Sequence, residues 1–191
     1  MEKIQGYDEA VTLTGEYEVL EPGGYICKVV SAKEETSSNG NKMLVIAFDV
    51  ESGEHKGIYK RRFDEAVKAN NDPNTKVKWP NNGIHRIMLN NEKAAGFLKG
   101  FITSIEASNP KFKWDWDEKK LKDKLFGGIF GEEEYEKNDG SIGTSTKLRW
   151  IRSIDAIEDG KYKIPDPKRL NKSNSNNPFN EVNDDDDDLP F

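Results

Sequence analysis

Five consecutive aspartates, Asp184 to Asp188, followed by Leu189, Pro190 and Phe191, set the first limit on the fold. A carboxylate run cannot enter a core, because each group would lose its water with no cation to replace it. The run predicts a solvated, disordered C-terminal tail, so the folded body must precede it. Composition agrees: 34% hydrophobic against 34% charged residues is lean for a wholly globular chain of 191 residues. Charge divides the same way. From Asn171 onward six acids stand against Lys172, so this stretch carries −5 of the total −6 and residues 1–170 are left near −1. A near-neutral body binds phosphate only through bases clustered on one face, so net charge neither supports nor excludes nucleic acid.

Taken in order, the chain reads as short strands and one main helix. Residues 1–15 are polar and aperiodic, a mobile lead or an added edge strand. After Pro22-Gly23-Gly24 a β-branched stretch predicts a strand over about 24–34. Ser37 to Asn41 is a turn signal, and Lys42 to Glu51 alternates, with Leu44, Ile46, Phe48 and Val50 on one face and Met43, Val45 and Ala47 on the other. A third strand is predicted at Ile58–Phe63, making a meander. Residues 64–83 read as a long loop, and 84–89 as a short apolar-basic segment. Ala94, Phe97, Leu98, Phe101, Ile102 and Ile105 at 3–4 spacing predict a core-facing helix from Glu92 to Ala107, capped by Asn90 or Asn91. Leu125–Glu136 is a strand whose glycines permit bending or close approach of another backbone. Asn138-Asp139-Gly140 turns it into a return strand at about 144–157.

Three strands, a helix and two strands is the element order of the OB-fold, a five-stranded barrel that binds oligonucleotides. The expected class is mainly β, with residues 1–170 as the domain, 171–183 as a flexible linker and 184–191 as an acidic tip. As a coil, the linker would span roughly 20 Å.

The tip also suits recognition. A pocket could take the Phe191 ring and pair a cation with the terminal carboxylate, while the Asp run steers it toward a basic rim. An Asp run closed by a hydrophobic residue, Pro and Phe resembles the acidic tip of bacterial and phage single-stranded-DNA-binding proteins. Lys124–Leu170, with its Gly-Gly-Ile-Phe-Gly, Glu-Glu-Glu-Tyr and Lys-Leu-Arg-Trp-Ile-Arg-Ser stretches, also resembles phage-encoded proteins regarded as single-stranded-DNA binders. The resemblance implies a partner-binding role for Asp184, Asp185, Asp186, Asp187, Asp188, Leu189, Pro190 and Phe191. The partners it implies are single-stranded DNA and, through the tip, replication, recombination and repair proteins.

Sequence-tolerant binding of a single strand needs cations along the phosphates and flat side chains under the bases. The candidates are Tyr59, Lys60, Arg61, Arg62 and Phe63 on the predicted third strand, Lys78, Trp79 and Arg86 in the loop region, and Lys147, Arg149, Trp150 and Arg152 on the return strand. Strand neighbours face opposite ways, so either Tyr59, Arg61 and Phe63 or Lys60 and Arg62 meet the ligand. Likewise Lys147 and Arg149 share one face and Trp150 and Arg152 the other, unless Trp150 is a core residue beside Leu148. Trp79, in a polar loop, has little core to join. Trp114 and Trp116, among Asp115 and Asp117, read as packing residues.

Other chemistry finds little support. His55 and His85 lack metal-site spacing, Glu132-Glu133-Glu134 alternates faces with no partner acid for a nuclease site, and Gly127-Gly128 and Gly160-Lys161 fit no nucleotide-loop pattern. No enzyme and no cofactor are expected. Cys27, the one cysteine, should be buried and inert. No apolar run approaches bilayer length and no signal core opens the chain, so a cytoplasmic protein is expected, in a bacterial host if phage-encoded, without membrane contact. Rival expectations are an interaction protein or inhibitor that uses the tip to occupy partner pockets, and a strand-annealing recombination protein. Oligomeric state stays open, a homo-oligomer included.

Overall fold

A computed structural model describes residues 18–72 and 74–170. The predicted linker and tip, and the lead up to residue 17, lie outside these. Five antiparallel strands form one sheet: β1 Gly23–Thr36, β2 Lys42–Val50, β3 Ile84–Met88, β4 Leu125–Glu136 and β5 Ile142–Arg152. Their spatial order is β3-β2-β1-β4-β5. Helices α1 Ile58–Ala69, α2 Ala94–Ser108 and a short α3 Ile154–Glu158 complete the body. The chain is therefore mainly β, as expected.

β1 holds the sheet together because it is long enough to pair twice. Cys27 to Thr36 pairs with β2, and Gly23 to Lys28 pairs with β4. A register shift between Val29 and Ser31 bends the strand between its two partners. This is OB-like topology, but β3 and β5 are the two edges of the sheet, which strand pairing does not close. The core lies on one face, where Leu44, Ile46, Phe48 and Val50 of β2 meet Cys27, Val29, Phe126 and Phe130, with Phe101 and Ile105 of α2. Phe48 is its hub, edge-to-face with Tyr59, Phe126 and Phe130. Burial raises the Cys27 thiol pKa far above its usual value, so this cysteine is inert as expected.

The predicted third strand is wrong. Residues 58–63 open α1, and the true third strand is Ile84–Met88, the segment read as merely apolar-basic; Met43↔Met88 to Ala47↔Ile84 pair it with β2. Ile58, Tyr59, Arg62 and Phe63 make one helical stripe, and the helix-favouring Glu65, Ala66, Lys68 and Ala69 follow it. Asp49 at the end of β2 fixes the outcome. Its carboxylate accepts from the backbone N–H groups of Tyr59 at 3.0 Å and Lys60 at 2.9 Å, a cap supplied from another element. Two smaller corrections follow from packing: Phe97 is 39% exposed and Trp116 is 78% exposed, so neither is a core residue. Trp114 is partly buried against the core.

Candidate nucleic-acid interface

The glycines of β4 decide what lies over the second face of the sheet. Residues 125, 127, 129 and 131 point away from the core, and a methyl at Gly131 would lie 2.6 Å from Pro165 Cγ. On β1, a methyl at Gly24 would lie 2.5 Å from the Tyr162 ring, and α3 lies equally close to Gly127. Bare backbone thus lets the segment after β5 lie flat on the sheet as a strap, the close approach that the glycines permit. Lys168 completes it, with its N–H donating to Glu132 O and its carbonyl accepting from Glu134 N–H, both at 2.9 Å. Arg169 pairs with Glu134 at 2.6 Å, and Glu133 takes Lys147 at 3.0 Å. The acidic triplet is therefore a clamp for the strap.

A bulge in β5 sets the side chains beneath. Ile129 pairs with Trp150 but Phe130 pairs with Leu148, leaving Arg149 as the extra residue. Leu148 consequently faces the core while Trp150, two positions later, faces the strap. Lys147, Arg149, Trp150 and Arg152 all come to the outer face, so the predicted split of this stretch into two faces is corrected. Trp150, Arg152 and Ile129 on the sheet and Lys161, Tyr162 and Lys163 on the strap line a cleft of about 320 Å³. No carboxylate lines it. Lys161 is held by Asp159 at 2.6 Å, whereas Arg152 donates to the Ile151 carbonyl and Lys163 has no ion pair among the described residues.

The remaining candidates fare differently. Tyr59 is fully buried against Phe48 and cannot stack on a base. Trp79 does have a core to join: its Nε1 donates to Phe48 O at 3.2 Å and its ring lies 5.4 Å from that of Phe63. Both rings are packing residues. Lys60 pairs with Asp64 at 2.7 Å and Arg61 with Glu18 at 2.7 Å, which partly neutralises them. Arg62 donates to the Glu18 carbonyl. Lys78 and Arg86 are exposed, Arg86 bonding Asn81 Oδ1 at 3.3 Å. The contribution of Lys161, Tyr162 and Lys163 was missed from sequence. Their cation–aromatic–cation alternation matches the pattern that singled out the other candidates, but it falls after the last strand.

Residues 6–100 match the family model described as Protein of unknown function (DUF669). That match spans β1 to β3 and the start of α2 and stops before β4, β5 and the cleft. No curated protein matches the chain. Among the described residues no helix is long and apolar enough to cross a membrane.

Proposed function

We propose that this protein is a non-enzymatic, sequence-tolerant single-stranded-DNA-binding protein that works in the cytoplasm. One observation carries the reading: two aromatic rings and three cations, from two separate parts of the chain, surround one cleft that no carboxylate lines. Rings give every base a surface to stack on, and cations answer the phosphates without reading sequence. The OB-like sheet supports it further, as does the acidic tip, to which we assign the docking of replication, recombination and repair proteins.

Fluorescence anisotropy with labelled oligothymidylate tests this. Trp150→Ala and Tyr162→Ala should each weaken binding by about 1–3 kcal/mol, roughly fivefold to over a hundredfold. Arg152→Ala should also flatten the salt dependence by about one unit of slope. A parent protein that leaves the oligonucleotide free at low salt refutes the proposal and leaves an interaction protein that acts through its tip.

A further inference from the structure

A second cleft, of about 250 Å³, opens where the sheet fails to close, between β5 and the turn Asn81–Gly83 that precedes β3. Its polar lining is Arg62 of α1, Asn82, Tyr135 of β4, and Thr144, Ser145 and Thr146 of β5; no carboxylate takes part. Arg62 spends a hydrogen bond on a carbonyl but has no ion pair among the described residues. Ser145 Oγ is buried with no hydrogen-bond partner, and so is Arg149 Nη1 further along the strand. Among the described residues only three side-chain polar atoms are so placed, and two of them belong to β5. Natural proteins seldom tolerate such groups unless something else satisfies them.

We infer that this cleft is a second nucleotide subsite, and that one strand of nucleic acid runs along β5 from here to the Trp150–Tyr162 cleft. The inference deepens the proposed function and rests on it. Thr146 and Trp150 stand four residues apart, roughly 13 Å of strand, so a single mononucleotide cannot bridge the clefts but a short oligonucleotide can. Thr146 faces the core side of the sheet and Trp150 the strap side, so the nucleic-acid strand would cross over the free edge of β5, where Arg149 and Lys147, the latter paired with Glu133, face the strap side. Phosphates supply acceptors for Arg62 and for the Ser145 hydroxyl that lines this cleft, and Tyr135, 42% exposed, offers a ring at the far end. An extended peptide could also add to the free edge of β5, but it would bring donors and acceptors in equal number to a strand whose side chains mainly donate.

Length dependence tests the path. Thymidine monophosphate and a graded series of oligothymidylates would be titrated against the parent, Arg62→Ala, Asn82→Ala and Tyr135→Ala, with melting curves confirming that each variant is folded. The shortest ligands should bind parent and variants alike. Beyond a threshold length the parent should gain affinity that Arg62→Ala loses, about tenfold, with a shallower salt slope. Amide resonances of Ser145 and Thr146 should shift only with oligonucleotides beyond that length. Folded variants that match the parent at every length overturn the inference while leaving the proposed function standing. Shifts of those amides by a peptide but by no oligonucleotide also overturn it, in favour of a protein partner. A parent that binds no oligonucleotide removes both readings.

Discussion

Asp49→Ala should cost more than any other single substitution outside the apolar core. The carboxylate is buried and accepts three backbone N–H groups, those of Val50, Tyr59 and Lys60, at 2.9–3.0 Å. Alanine leaves the Tyr59 and Lys60 donors at the start of α1 without an acceptor from the protein. Loss of a helix cap costs about 0.5–2 kcal/mol, and a carboxylate at a helix N-terminus contributes up to about 2 kcal/mol more when partly buried. A total near 3 kcal/mol is expected, with Asp49→Asn at about half of it because one acceptor oxygen survives. Urea unfolding followed by tryptophan fluorescence reads the loss as a lower midpoint with unchanged slope. Since Tyr59 and Ile58 anchor α1 in the core, the near-ultraviolet signal of the folded state should change as well. A loss under about 1 kcal/mol for the alanine variant would show that α1 does not depend on this cap and would refute the account of why residues 58–69 are helical.

Two further outcomes follow from packing and charge. His85 pairs across the ladder with fully buried Ile46, and burial, with Arg86 beside it, lowers its pKa to about 4 from an ordinary 6.5. The fold favours the neutral ring, so its contribution is complete above pH 6.5 and is lost as pH falls toward 4, up to about 3 kcal/mol. His85→Leu should flatten the unfolding midpoint across that window; an unchanged pH profile would place the loss elsewhere. Gly24→Ala would push a methyl into the Tyr162 ring, so it should both destabilise the body by about 1–3 kcal/mol and weaken oligonucleotide binding by displacing the strap. Wild-type stability and affinity in Gly24→Ala would show that the strap does not rest on β1.

Much of the body was legible because its signals are local. The alternation of Leu44, Ile46, Phe48 and Val50 names the core face of β2 from the period of a strand alone. Phe101, Ile102 and Ile105 at helical spacing do the same for α2. The glycines of β4 left either a bend or a close approach open; Gly127 and Gly131 prove to be sites of close approach, by α3 and by Pro165 of the strap, and which segment would come could not be read from them. Ile58–Phe63 misled because a six-residue window rich in bulky residues fits a strand as well as the first turns of a helix; the deciding residue, Asp49, lies on a different element.

The sequence by itself determined the mainly β class, the separation of an acidic end from a near-neutral body, and the presence of cations alternating with aromatic residues. Those properties reside in residue types and short periods. Tertiary structure alone decided which of the aromatic candidates is available to a ligand. Tyr59, Phe63 and Trp79 turn inward because Phe48 and its neighbours offer them apolar contact. Trp150 turns outward because one extra residue in β5, Arg149, reverses the facing of everything beyond it. A bulge depends on how two strands align, and alignment is a property of the pair that neither strand carries alone.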